Sequence, residues 1–142
     1  MKNIIYVMVL LISSTLTQTV KAQELKLKDN VVLLGDKPAF SFDKKAMNNE
    51  FHLYKLNTQE ELVVLKHQHV GADTGAQDDF KKIIFAKQNI VIESKVLQKR
   101  NWKFLIQLLL DEKVLDPSTG TVDVKNLERF AGKYDEKITP RK

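Results

Sequence analysis

The feature of this sequence that most constrains its fold is a change of hydrophobic period after Ser94. Before that point, short apolar runs are separated by turn-forming residues, which is typical of β-strands joined by tight turns. The predicted strands cover residues 31–34, 39–42, 51–56, 62–69, 82–85 and 90–93, with a frayed first strand within 23–30. Successive strand pairs at this spacing predict an antiparallel β-meander of about six strands.

The sequence after Ser94 favours helices. Between Val96 and Leu115 the apolar residues cover more than half of a helix circumference, which predicts a helix buried on two sides. Turn residues follow at 116–120, and Asp123 is placed to cap a second helix with one apolar face. Strands followed by helices predict an α+β domain, in which the two C-terminal helices pack on one face of the sheet.

The N-terminal segment has the three parts of an export signal. Lys2 supplies the positive start, residues 4–12 are an unbroken apolar run, and Val20-Lys21-Ala22 resembles a cleavage site. The run is too short to span a bilayer, which takes about 20 apolar residues. We therefore predict a signal peptide at residues 1–22 and a single domain at 23–142. The localisation expected is export to a periplasm or to the outside of the cell, with no membrane span after cleavage.

Composition narrows the function classes. Of the 23 basic residues, Lys2 and Lys21 leave with the leader, so 21 basic and 18 acidic residues remain and the net charge is +3. This mild charge gives little support to nucleic-acid binding. The chain has no cysteine, which excludes disulfides, a thiol nucleophile and thiolate metal ligands.

The histidines form the most specific candidate site. His67 and His69 are two residues apart on a predicted strand, so their side chains share a face. If Asn57 pairs with Glu60 in the preceding turn, His52 lies opposite Leu65 and therefore diagonally next to His67. Three imidazoles on one face are a ligand set for zinc with an open fourth position. The alternative is that all three are polar residues on the solvated side of the sheet.

Other chemistries find less support. The segment from Asp116 departs from a calcium-binding loop, because its sixth residue is Thr121 where that loop needs glycine. No Gly-x-Ser-x-Gly motif is present, and the acidic pairs Glu60-Glu61 and Asp78-Asp79 are interpreted as solvated turn residues. A cationic cluster surrounds Trp102 and is interpreted as a solvated strip beside a core tryptophan. Its members are Lys95, Lys99, Arg100 and Lys103.

One resemblance accompanies these patterns. The leader ending at Ala22 before Gln23, the Leu-Asp-Pro-Ser-Thr-Gly-Thr-Val-Asp turn and the Leu-x-x-Phe-x-x-x-Tyr helix resemble small uncharacterised secreted proteins of Bacteroidota, of flavobacterial type. The second part covers roughly residues 105–137. The resemblance implies an exported protein but carries no activity, cofactor or site residue to this chain.

The sequence therefore predicts a small exported domain without enzymatic activity that binds a protein or small-molecule partner or belongs to a cell-envelope assembly. We take the loop from Val70 to Asp79 as its contact region, since loops on rigid sheets often carry recognition. The alternative is a metal-binding protein or hydrolase that uses His52, His67 and His69. A third class, attachment to anionic polymers or lipid, rests on the positive charge alone.

Overall fold

The computed structural model describes residues 23–71 and 75–141. Seven antiparallel strands form one sheet in chain order: β1 Leu25–Lys28, β2 Val31–Leu34, β3 Lys37–Lys45, β4 Glu50–Lys55, β5 Glu61–Gln68, β6 Phe80–Phe85 and β7 Ile90–Ser94. A short 3-10 helix, Gly75–Asp78, precedes β6. The fold is completed by helix α1 (Trp102–Asp111) and helix α2 (Val124–Tyr134). Between them lies a hairpin of two strands of two residues each, β8 (Leu115–Asp116) and β9 (Thr121–Val122).

The predicted α+β architecture, a meander followed by two C-terminal helices, is confirmed. The strand beyond the six predicted ones is β1, which lies in the alternating segment 23–30. Its leucines pack against the core. The predicted signal peptide at residues 1–22 lies outside the described residues. Within the ranges described, no helix has the length and apolar character needed to cross a membrane.

The core lies between one face of the sheet and the two helices. Strand residues spaced two apart supply one side of it, because alternate side chains of a strand point to the same face. From the helices, Leu105 and Leu109 of α1 and Leu127 and Phe130 of α2 complete one continuous apolar cluster and are fully buried. The helices contact the two edge strands of the sheet, α1 at β1 and α2 at β7.

A β-bulge in β5 sets which side chains of the central strands share a face. Leu53 pairs with Val63 but Tyr54 pairs with Glu61, so Leu62 is an extra residue in β5. Leu62 and Val63 are consecutive and both buried, as the two residues of a bulge can be. The register beyond the bulge is thereby shifted by one residue, and a one-residue shift moves every following side chain to the other face of the sheet.

Helix α1 is shorter than the predicted 96–115 element. It begins at Trp102, and the side chain of Asn101 caps it by accepting the Phe104 N–H at 2.8 Å. Lys95, Lys99 and Arg100 therefore precede the helix, and only Lys103 of the cationic cluster lies in its first turn. Lys103 therefore lies beside the positive end of the helix dipole, where a cation is unfavourable. The predicted cap of α2 by Asp123 is confirmed, with the Asn126 N–H at 2.9 Å.

Candidate functional site

The candidate site lies where β5 ends and β6 begins. His67 and Lys81 are direct cross-strand partners, and both continue the core-facing rows of their strands beyond Leu65 and Ile83. Asp79 precedes Lys81 by two residues and His69 follows His67 by two, so both lie at the same corner of the sheet. Strand pairing thus brings together four polar side chains at the rim of the core.

Asp79 is the centre of this cluster. Its Oδ2 atom lies 3.0 Å from Nε2 of His67 and 2.9 Å from Nδ1 of His69, and its Oδ1 accepts the Val70 N–H at 3.0 Å. With the carboxyl group ionised, both imidazoles donate to it, which fixes a proton on Nε2 of His67 and on Nδ1 of His69. The carboxylate therefore holds both histidines in defined orientations.

The environment keeps Asp79 charged. The Val70 N–H lowers the pKa of the Asp79 carboxyl group, desolvation opposes this, and the two histidine hydrogen bonds lower the pKa further, so the net direction is downward. The side chain of Asp79 is 5% exposed, that of His67 20% and that of His69 63%. Solvent thus reaches the site from the His69 side, while the carboxylate forms its floor.

Lys81 closes the inner side of the cluster. Its Nζ lies 2.8 Å from Nδ1 of His67 and donates to the Gln98 carbonyl at 2.6 Å. The same Nζ lies 5.2 Å from the ring centroid of Trp102. Burial lowers the pKa of Lys81, and the nearby charge of Asp79 partly offsets that effect. Lysine, histidine and aspartate thus form one continuous chain of hydrogen bonds.

The structure does not bring His52 to this cluster. His52 pairs with Val64, so the predicted pairing with Leu65 is wrong by one residue. The hairpin closes at Lys55 and Glu60 and not at Asn57 and Glu60, a two-residue change that by itself keeps His52 on the predicted face. The bulge at Leu62 then shifts the register by one residue, and this shift changes the face. The side chain therefore lies on the opposite face of the sheet. There it contacts Glu61 at 2.8 Å and Glu50 at 3.0 Å.

The group that sequence reasoning missed is Asp79. Because Asp78 and Asp79 are adjacent acidic residues, the sequence indicates a solvated turn at this point. The predicted strand begins only at residue 82, which places Asp79 in the preceding loop. A signal was present, because Asp79, Lys81, Ile83 and Phe85 are spaced by two and continue the inward row of β6. Asp79 also ends the loop 70–79 that we predicted as a contact region.

The arrangement is suited to holding a cation. His67, His69 and Asp79 each offer one ligand atom, and these three atoms lie within 4.8 Å of one another. Two imidazoles and a carboxylate form a donor set used for zinc and for other divalent transition metals. Among residues 23–71 and 75–141, it is the one cluster of at least three histidine or acidic side chains whose ligand atoms lie this close together.

Comparison of the chain with protein-family profiles, curated proteins and solved structures found no match. The site must therefore be interpreted from its own geometry.

Proposed function

We propose that this protein is a small exported binding protein without enzymatic activity, and that its ligand is one divalent transition-metal ion held by His67, His69 and Asp79. The observation that carries the proposal is that three ligand atoms lie within 4.8 Å of one another, with Asp79 in place of the predicted ligand His52. Three protein ligands leave a coordination position open for water or for a group of a partner molecule. Export rests on the predicted signal peptide.

The distances of the metal-free network are compatible with this role. Ligand atoms about 2.0–2.1 Å from a tetrahedral zinc ion lie roughly 3.3 Å apart. The two N···O distances are 2.9 and 3.0 Å, so each must lengthen by a few tenths of an ångström. His69 has the freedom to move, because most of its side chain is in solvent.

Binding moves a proton on each imidazole. A metal ion needs the lone pairs of Nε2 of His67 and Nδ1 of His69, so the proton of each neutral ring shifts to its other nitrogen. In His67 that nitrogen is Nδ1, which accepts from Lys81 in the metal-free network, so the Lys81 ammonium must turn away when the ion binds. Asp79 is already ionised, because its hydrogen bonds keep its pKa low. The carboxylate therefore supplies a negative charge at the site before the ion arrives.

Isothermal titration of zinc into the protein recovered from expression of the full chain tests the proposal. We expect one saturable site per chain. The His69→Ala variant should lose more than about 100-fold in affinity, above the 10–100-fold that losing an outer-sphere partner costs. His69 is the ligand least involved in folding, because it is the most exposed of the three.

His52→Ala is the matched control. It removes an imidazole from the opposite face of the sheet, and its zinc affinity should stay within about twofold of that of the unmodified protein. Equal loss in the two variants, or zinc binding that never saturates, would refute the proposed site. In that case the histidine–aspartate network would serve only to fix the loop that follows β5.

A further inference from the structure

A cleft of about 450 Å³ opens beside the metal-ligand cluster, between the β3–β4 turn and the start of α1. Four cationic side chains line it: Lys44, Lys81, Arg100 and Lys103. Its remaining lining is asparagine, leucine, histidine and Trp102, and includes no carboxylate. On a chain whose net charge is only mildly positive, this is a local concentration of cations in a concave surface.

Three of these cations are not neutralised by the protein. Among the residues that the structure describes, no carboxylate oxygen lies within 4.0 Å of the charged nitrogens of Lys44, Arg100 or Lys103. Within the same described ranges, other exposed cations such as Lys125 and Arg129 also lack such a partner, so what distinguishes these three is that they line one concave surface without a carboxylate. The cleft therefore leaves its positive charge available to a ligand.

Arg100 is held in a way that presents its donors. Its guanidinium carbon lies 4.4 Å from the ring centroid of Phe104, so an aromatic side chain supports the guanidinium group. An arginine stacked in this way keeps its N–H edge free, and that planar edge matches two oxygens of a phosphate or sulfate group. Lys44 and Lys103 add compact charges that suit the remaining oxygens.

Trp102 supplies a fixed wall of the cleft. Its indole N–H donates to the Asn48 carbonyl at 3.2 Å, which ties α1 to the turn between β3 and β4. In that turn Ala46, Met47 and Asn48 all have positive φ angles, between 51° and 74°. Such conformations are costly for residues other than glycine and cluster at ligand-binding sites. The turn is thereby held in the position that places Lys44 and Asn48 in the cleft.

We infer that this cleft binds a tetrahedral oxyanion, the phosphate or sulfate group of a small molecule or of a surface polymer. The inference goes beyond the proposed metal site and does not depend on it, because the cations of the cleft are arranged independently of any ion. It revises the interpretation of Arg100 and Lys103 as members of a solvated strip.

The test uses Trp102 as its reporter, since it is the only tryptophan of the chain. Inorganic phosphate is titrated at constant ionic strength into the full-chain product, with a chelator present so that metal binding plays no part. We expect saturable change of the tryptophan fluorescence. The double variant R100Q/K103Q should weaken phosphate binding by at least about tenfold, the loss expected when a charge-assisted arginine contact is removed.

The matched control is R129Q/K125Q, which removes one arginine and one lysine from exposed positions of α2. It has the same net charge as the test variant and should bind phosphate within about twofold of the unmodified protein. A parallel arm measures retention on a sulfated polysaccharide column. If only that polymer binds, and only R100Q/K103Q loses it, the oxyanion belongs to a polymer and the inference holds. Equal loss in both variants, or no binding to either probe, overturns it.

Discussion

The C-terminal segment after α2 makes a contact whose strength is measurable by a single substitution, Thr139→Val. Thr139 donates its backbone N–H to Oε1 of Glu93 at 3.0 Å and its hydroxyl to Oε2 at 2.6 Å. Glu93 lies on β7 and is 1% exposed. Valine has the shape of threonine but no hydroxyl, so the variant removes one hydrogen bond to a buried carboxylate and keeps the other.

The expected cost is about 1.5 kcal/mol of unfolding free energy. A hydrogen bond to a charged group contributes roughly 1.5–3 kcal/mol, and the lower end applies because Thr139 is itself exposed and water replaces part of the bond. Arg141, whose Nη2 is 3.4 Å from Oε1 of Glu93, remains in the variant and keeps the carboxylate partly neutralised. The loss should therefore not approach the penalty for an unpaired buried charge.

The cost should depend on pH with a definite sign. Burial raises the pKa of Glu93, but the two Thr139 hydrogen bonds together with Lys82 and Arg141 outweigh burial, so the net pKa lies below the ordinary glutamate value. A carboxyl group with a lowered pKa stabilises the fold above its unfolded-state pKa, and this stabilisation is lost as the pH falls through the folded-state pKa. The stability difference between the variant and the unmodified protein should thus be full at neutral pH and shrink in acid.

Urea denaturation at neutral and acid pH measures both quantities. A double-mutant cycle with Glu93→Gln isolates the interaction, because the amide at position 93 removes the charge but keeps the shape. A Thr139→Val cost that is unchanged when the Glu93→Gln substitution is also present, or unchanged between neutral and acid pH, would refute the assigned role of the carboxylate.

Three further perturbations follow from the packing and the site. Phe130→Ala should cost about 3–5 kcal/mol in urea denaturation, because Phe130 is fully buried in the core, whereas Val124→Ala on the exposed side of the same helix should cost less than about 0.5 kcal/mol. Gly120→Ala should lower the melting temperature, since the glycine has a φ of 65° and an added Cβ would lie 2.9 Å from Cγ of Lys55, while Gly132→Ala in α2 meets open space and should stabilise by about 0.5–1 kcal/mol. Lys81→Met should tighten zinc binding in calorimetry, because it removes a positive charge that contacts a ligand of the ion; unchanged or weaker binding would count against the proposed metal site.

Much of the fold follows from local patterns. Alternating apolar residues and turn signals are sufficient to predict six of the seven strands of the sheet. The capping role of Asp123 is predictable because an Asp precedes a clear amphipathic segment. The start of α1 cannot be predicted from a pattern of this kind. Leu97 fits the helical period and is buried, but it lies in a turn before the helix, and the feature that ends this turn is the single cap Asn101.

The site was only partly predictable, because it depends on strand register. His67 and His69 share a face by spacing alone, and the structure keeps them together. The position of His52 depends on a bulge, and nothing in the run Leu62 to Leu65 marks which of its apolar residues is the extra one. All four are buried, so hydrophobicity cannot distinguish the two registers. Asp79 joins the site only because β6 begins two residues before the predicted start.

The metal site and the anion cleft are not energetically independent if both are occupied, because His67 is a ligand of the first and lines the second. A divalent cation at His67 adds positive charge beside a cleft that already favours anions, so each ligand should raise the affinity for the other. Thermodynamic linkage requires the two effects to be equal: the factor by which zinc tightens phosphate must be the factor by which phosphate tightens zinc, with about fivefold as a typical lower size. Calorimetric titration of each ligand in the absence and presence of the other measures both factors, with solutions of zinc and phosphate alone checked for direct association. A coupling factor of one, or weaker binding of each ligand in the presence of the other, would contradict a favourable coupling through His67.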